Sequence, residues 1–461
     1  MTWTTQLEPR LAGALHLPGS RAYEEACTLF NAAIERRPAA VAACDNAADV
    51  VIALRHARER GLPVAVRAGG HSAAGWSLCD DGLVLDVRGI AAVEVDPVAR
   101  TATVGGGCLT GTLDRALQSH GLATTTGRVS TTGLAGFTLG GGSGWLERRF
   151  GFACDNLLAA ELVTAGGERI HVSDEATPDL LWALRGAGAN FGVVTSMTFR
   201  VHRLDPQVTG GLVLFDAGHG REFLRLAREV MDTAPEELTL GVIYLYGPDE
   251  DEVPDELRGR LCVGAILLHT GGEAQAERDL APLRSFAAPS LDLVERQPYA
   301  RFQCSIDDPP GYRNYMTAQQ LPAMGDEAID VIHAHAMRLP AGPGWTVIVP
   351  WGGAVRHPPV DTPLAHRDTA WVVHPGAFWI DPDDDEAAIA WGRGFTAALR
   401  EFASGGVWLN WIGDEGEERV RAAFGDEAFA RLQAVKARYD PDNVFRANHN
   451  IAPAGLRQPP P

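Results

Sequence analysis

The apolar pattern divides the chain into two regimes. Between residues 61 and 192, short β-rich runs alternate with dense glycine clusters: PVAVRA (63–68), GLVLDV (82–87) and TATVGG (101–106). Residues 109–120 and 46–60 carry apolar positions at helical spacing, the second behind the candidate cap Asp45. From about 205 to 415 the apolar period is two. GGLVLF, LTLGVIYLYG, RLCVGAILLHT, AIDVIHAHAMRL, GWTVIVPWGG and TAWVVHPGAFWI read as strands, with helical stretches such as 221–232 and 385–403 between them. The pattern predicts an α+β chain. Residues 1–204 form a glycine-loop domain, 205–415 an antiparallel sheet backed by helices, and 416–461 a C-terminal segment. That segment holds a helix and the turn signal Asp440-Pro441-Asp442-Asn443, and its closing Gln-Pro-Pro-Pro is expected to fray.

At 461 residues the chain has room for two or three domains with ample core. No apolar run approaches the roughly 18 residues of a membrane span. The start, MTWTTQLEPRL, lacks a basic region followed by an apolar one, so no cleaved signal and a cytoplasmic location are expected. The net charge of −19 disfavours a nucleic-acid partner. Of the 40 basic residues only Lys436 is a lysine. No P-loop lysine exists, and a Schiff-base lysine could only be Lys436, in a charged helical stretch. Seven cysteines, odd in number and widely spaced without C-x-x-C, argue against a disulfide framework and a zinc ribbon.

The glycine clusters carry the first chemistry. They are Ala68-Gly69-Gly70-His71, Gly105-Gly106-Gly107, Gly140-Gly141-Gly142-Ser143-Gly144 and Gly186-Ala187-Gly188. None fits G-x-G-x-x-G, because Trp145 and Phe191 stand where the last glycine would be. Exposed N–H groups on such loops form anion nests that suit a pyrophosphate; the alternative is four tight turns. His71 follows two glycines, so its imidazole can be brought hard against a ligand.

These residues carry a resemblance. R-x-G-G-H-S-x-x-G at 67–75 resembles the covalent flavin loop of FAD-linked oxidases with the vanillyl-alcohol-oxidase fold, in the berberine-bridge-enzyme-like branch that includes 6-hydroxynicotine oxidases and oligosaccharide oxidases. TTGLAGFTLGGGSGWLERRFGFACDNL (131–157), GAGANFGVVT (186–195) and YDPDNVFRANHNI (439–451) are similar to three further motifs of that family, in the same order. The resemblance implies a two-part FAD-binding domain, with 416–461 returning to it. It implies a flavin tied to His71, and pyrophosphate held by Ala68, Gly69, Gly70 and Ser72. It places Gly133, Thr138, Gly140, Gly141, Gly144, Asp155, Asn190 and Val194 around the cofactor, with Asn448 and Asn450 returning from the tail; the two tail asparagines could equally be turn formers. Many relatives carry a second link from a cysteine in G-x-C-P-T-x-G. Here the stretch is Gly127-Arg128-Val129-Ser130-Thr131-Thr132-Gly133, and Val129 implies a single attachment.

The substrate side is expected on the second sheet. Period two pairs Tyr244 with Tyr246, His333 with His335 and Trp408 with Asn410, and the candidate catalytic residues are Asn410, Tyr246, His335 and Tyr299. VWLNWIGDE (407–415) resembles the family's Y-x-N-Y/F strand, with Trp408 at the tyrosine position; GYRNYMT (311–317) has Thr317 where the family often has lysine. His333 and His335 read as core residues, a base or a metal pair, but no third ligand sits at convincing spacing, so no metal is expected. Tyr299 and Gln303 read as pocket or packing residues. Trp345, Trp351, Trp379, Trp408 and Trp411 suggest an apolar or aromatic substrate, or simply core. The expected activity is hydride removal from an alcohol, amine or activated C–H of a small metabolite, with dioxygen as partner, hydrogen peroxide as product and possible secondary-metabolite tailoring. The alternatives are a flavin dehydrogenase with another acceptor and an inactive binding protein.

Overall fold

Parallel pairing of three apolar runs begins the architecture, which a computed structural model describes for residues 3–251, 253–307 and 311–455. The closing Gln-Pro-Pro-Pro lies outside them. Strands Ala40–Ala43 and Val64–Arg67 flank Leu83–Asp86 in parallel, and Ala14–His16 closes the edge antiparallel. Their near-continuous burial is what a parallel sheet covered on both faces requires. Helix Ala47–Glu59 is the crossover. Its cap is Asn46 rather than Asp45: the Asn46 side chain accepts from the N–H groups of Ala48 and Asp49. A five-stranded antiparallel sheet follows, in the order Val93–Asp96, Thr101–Gly105, Val193–Arg200, Leu157–Val163, Arg169–Ser173. Of the glycine clusters, Gly69-Gly70 follows strand Val64–Arg67, 105–107 closes strand Thr101–Gly105, and 140–144 and 186–188 follow helices Leu134–Leu139 and Pro178–Leu184.

The second strand system is a nine-stranded antiparallel sheet, centred on Gln207–Asp216, Leu261–His269, Leu238–Tyr246, Trp345–Pro350 and Trp371–Trp379. Alternation assigns its faces. Phe215, Leu240, Val242, Tyr244 and Val373 pack under helices Gly220–Thr233, Glu273–Arg284, Asp326–Ala336 and Asp385–Ala398. Leu214, Ile243, Ile266 and Leu268 face the glycine-loop side, with Leu245, Trp345 and Val347 beside them.

Two expected strands are not strands. Most of AIDVIHAHAMRL belongs to helix Asp326–Ala336. Its buried Ala328, Ile329, Ile332 and Ala336 recur on a helical stripe, and Asp326 and Glu327 occupy the first turn, where carboxylates favour a helix. His333 and His335 therefore point to different sides. His333 Nδ1 meets the Tyr244 hydroxyl at 3.0 Å, and His335 stacks on Phe395 at 5.1 Å. Among the described residues, segment 407–415 contains only the single turn Leu409–Trp411, and no sheet pairs with it. Trp408 and Asn410 consequently share no strand face.

The C-terminal helix Gly425–Tyr439 lies on helix Pro178–Leu184, with the Arg431 guanidinium 3.8 Å from the Trp182 ring centroid. Lys436 is fully buried. Its ammonium donates to Asn190 O at 2.6 Å, Asp440 Oδ2 at 2.7 Å and Phe445 O at 2.8 Å. Those three bonds fasten the 439–451 loop to the 186–195 loop, and all three ammonium hydrogens are engaged. No helix among the described residues is long and apolar enough to cross a membrane.

Candidate functional site

The apolar face of the large sheet and the glycine loops enclose a cavity of about 1720 Å³. Ordinary small-molecule pockets run to about 300–1,000 Å³, so this one has room for a large cofactor and a second molecule. Ala68, Gly69, Gly70, His71, Ser72, Gly133, Gly140, Val194, Asn410, Tyr246 and Asn448 line it.

The remaining expected residues stand behind the lining. Thr138 lies in helix Leu134–Leu139, and its buried hydroxyl has no protein partner. Gly141 leaves space for the Trp408 indole: a Cβ there would stand 2.5 Å from its ring. Gly144 passes so close to Thr126 O that a Cβ would overlap it. Asp155 accepts from Phe152 N–H at 2.9 Å and pairs with Arg367 at 2.6 Å. Asn190 donates to Ala187 O and His449 O and accepts from Ile451 N–H. The Asn450 carbonyl oxygen is buried without a partner.

The catalytic candidates fare differently. Asn410 reaches the cavity, but its amide donates to Phe137 O at 2.8 Å and its oxygen lies over Gly140. The Tyr246 hydroxyl donates to Leu339 O at 3.1 Å, so that group is engaged away from the cavity. Period two was right for this strand, but the cavity face carries Ile243 and Leu245. Tyr299 is buried beside Trp145 and Phe302 and does not line the cavity; burial pushes its phenol well above the usual range. His335 sits on a helix beyond the sheet and is no cavity group. Gln303 holds the Gly127 carbonyl at 2.9 Å. Of the five tryptophans only Trp345 and Trp411 reach the lining; Trp351 and Trp408 pack on Phe152, and the Trp379 indole donates to Asp385.

A continuous run of rings forms the cavity wall. The Arg128 guanidinium lies 5.1 Å from the Trp145 centroid and 5.6 Å from that of Trp411. Glu147, fully buried, neutralises it at 2.9 Å. Trp411 stacks on His374 at 4.8 Å, Trp345 lies 4.9 Å from His374, and Phe378 lies 5.7 Å from Trp345. Phe30 meets Phe378 edge-on at 6.1 Å and stacks on His71 at 4.5 Å. Gly376 makes this possible, because a side chain there would press on the Trp345 ring. His71 Nε2 lies 3.0 Å from the Thr131 hydroxyl. Asp307 ties down the same loop by accepting from Ser130 N–H at 2.6 Å.

Residues 38–173 match the family described as FAD binding domain, and 404–452 match the one described as berberine and berberine like. The (R)-6-hydroxynicotine oxidase of Paenarthrobacter nicotinovorans is 31% identical over 459 residues, covering 96% of this chain and 98% of the relative. The chain belongs to the berberine-bridge-enzyme-like FAD-linked oxidoreductases. An FAD-linked oxidoreductase of Dictyostelium discoideum is 30% identical over 455 residues, covering 96% of this chain and 95% of that one. The crystal structure of 6-hydroxy-D-nicotine oxidase from Arthrobacter nicotinovorans superimposes with a TM-score of 0.86 at 30% identity, covering 96% of this chain and 98% of that one. BBE-like 1 of Physcomitrella patens shares the fold, with a TM-score of 0.87 over 99% of this chain and 100% of the other.

The oxidoreductase's own groups fit an FAD. Among the described residues, no protein acceptor takes the backbone N–H groups of Gly69, Gly70, His71 and Ser72, which line the cavity. Four free consecutive donors, with Gly70 at φ +76°, make a nest for a diphosphate. The Asn448 amide is spent on Ala189 O and Phe445 O, while its carbonyl oxygen is left without a protein partner.

Burial lowers the His71 imidazole to about 4, only partly offset by Asp307. Burial likewise lowers His202 and His374 to about 4, assisted by nearby arginines at His202; at His374 the Thr317 hydrogen bond opposes the shift and Arg128 adds to it. In the unfolded chain these groups titrate near 6.5. Between the two values the unfolded state binds more protons. The contribution of these rings to stability is therefore full above about 6.5 and falls as pH drops toward 4. Across that window the melting midpoint of His202→Gln should fall less steeply with decreasing pH than that of the wild type; equal slopes would contradict neutral burial of that ring.

Sequence reasoning missed Phe30, Arg128, Trp145, His374 and Phe378 as wall residues. His374 and Phe378 lie on a strand whose alternation puts both on one face, so their pairing was available once the face was known. Phe30 and Arg128 lie outside regular elements, and nothing in their local sequence marks them.

Proposed function

We propose that this chain is an oxidase carrying FAD on a single covalent bond to His71. It removes a hydride and a proton from an alcohol, amine or activated C–H of a small, flat, apolar metabolite. The observation that carries this is the run of rings from Trp145 to Phe30 ending on a neutral His71 beside four free N–H donors. Bound there, the flavin supplies a two-electron acceptor whose electrons pass on to dioxygen, giving hydrogen peroxide. The chain's residues do the rest. Residues 69–72 bind the diphosphate, and the rings exclude water and orient a flat substrate. A neutral imidazole at position 71 keeps the lone pair that attachment needs. With Val129 at the family's usual cysteine position, Cys304 is the one cysteine that lines this cavity. The (R)-6-hydroxynicotine oxidase relative makes an amine on an aromatic ring a sensible first substrate class to try.

The test is anaerobic mixing of the purified holoenzyme with aryl-substituted alcohols and amines, 6-hydroxynicotine among them. At least one should bleach the flavin, and admitting air should restore the colour with release of peroxide. Bleaching followed by sluggish recovery in air would make the protein a dehydrogenase. No bleaching by any compound would favour the inactive binder.

A further inference from the structure

His374 has a chemistry that its ring neighbours Trp345 and Trp411 lack. It sits on strand Trp371–Trp379, paired with Val347 of strand Trp345–Pro350, and lines the cavity. Its Nδ1 lies 2.9 Å from the Thr317 carbonyl. A carbonyl only accepts, so Nδ1 carries the ring's hydrogen and Nε2 keeps a lone pair. Among the described residues no protein donor reaches Nε2.

The ring is also held in place. Trp411 stacks on it with 17° between planes, and Trp345 flanks it. Thr317 is fixed in turn, its hydroxyl donating to Glu415 at 2.7 Å, and Glu415 pairs with Arg419 at 2.9 Å. The charge facing His374 is Arg128, paired with Glu147. Burial and that cation both oppose a proton on the ring, which is why the imidazole is neutral at ordinary pH. The competing polar groups expected from sequence are engaged elsewhere, the Tyr246 hydroxyl on Leu339 and the Asn410 amide on Phe137.

We propose that His374 is the proton acceptor of the oxidation: Nε2 receives the hydrogen bond of the substrate's O–H or N–H and takes its proton. This rests on the oxidase reading above. Writing the substrate as H–C–X–H, the X–H bond breaks, its proton passes to Nε2, and its electron pair becomes the second bond of C=X. The C–H bond breaks with both electrons leaving as hydride, for which an FAD bound in this cavity would be the two-electron acceptor. The resulting imidazolium faces Arg128 and is unstable there, so it releases the proton to solvent once the product leaves.

Two substitutions separate the parts of the role. His374→Asn keeps an amide N–H for Thr317 but has nothing at the Nε2 position. His374→Gln places an amide oxygen there, an acceptor that cannot take a proton. Flavin absorbance retained in both shows an intact fold and cofactor site. With a compound that bleaches the wild type, the limiting rate of anaerobic bleaching should fall about 100-fold or more in both variants. Affinity should fall about 10-fold for the Asn variant and little for the Gln variant. The wild-type rate should be flat near neutrality and decline below about pH 5, a limb absent from His374→Gln. In ¹⁵N-histidine-labelled holoenzyme the resonance missing from His374→Asn should show a bare Nε2, and phenol as an O–H probe should shift it. Bleaching at the wild-type rate in either variant, or an Nε2 carrying the hydrogen, overturns the proposal for His374 alone. Failure of every compound to bleach the wild type overturns the oxidase reading, and this role with it.

Discussion

Acid-precipitated wild-type protein is expected to keep its yellow colour in the pellet, and His71→Ala to release all of it to the supernatant. His71 stands on the loop with four free N–H donors, its ring stacked on Phe30 and its Nε2 beside the Thr131 hydroxyl. Such a ring is fixed in orientation and uncharged, because burial holds it near 4. Attachment should therefore proceed equally well from pH 8 to 5 and fail only as the ring protonates. Val129 offers no thiol on the other side. Colour retained by His71→Ala would refute a single bond and direct attention to Cys304, which the double variant with Cys304→Ala would settle.

Lys436→Met is expected to cost about 3–5 kcal/mol, the usual price of stranding one member of a buried ion pair. Lys436 and Asp440 are both fully buried, and Asp440 also accepts from Val444 and Phe445 N–H groups to shape the tail loop. Without the ammonium, a carboxylate and the carbonyls of Asn190 and Phe445 lose their donor together. The tail carries Asn448 to the cavity, so flavin retention in the His71→Ala background should weaken as well. Urea titration reads the first effect and equilibrium dialysis the second. Adding Asp440→Asn should recover part of the loss, because the stranded charge disappears. An unchanged urea midpoint in Lys436→Met would show that the three bonds do not fasten the tail.

What could be read from sequence was what lies contiguously in it. The loop Ala68–Ser72 is one stretch of chain, and its glycines and histidine announce it. Period two located Leu238–Tyr246 and Trp371–Trp379 because each buries one face under helices and turns the other to the cavity. It failed at 328–339, where alternating small and apolar residues also fit a helical stripe, and at 407–415, which pairs with no strand among the described residues. It could not choose faces: Tyr246 carries the conspicuous side chain, yet the neighbouring Leu245 is the one packed toward the glycine loops. The wall was illegible for a different reason. Phe30, Arg128, Trp345, His374 and Trp411 come from separate segments, and only tertiary packing makes one surface of them.

The burial of Lys436 has a practical consequence. Every other one of the 40 basic residues is arginine, so no lysine amine is presented to solvent anywhere on the molecule. Acylating dyes, aldehyde cross-linkers and amine-coupled surfaces therefore find no lysine side chain on the folded protein. Acylation of the Lys436 side chain therefore reports the opening of the tail latch.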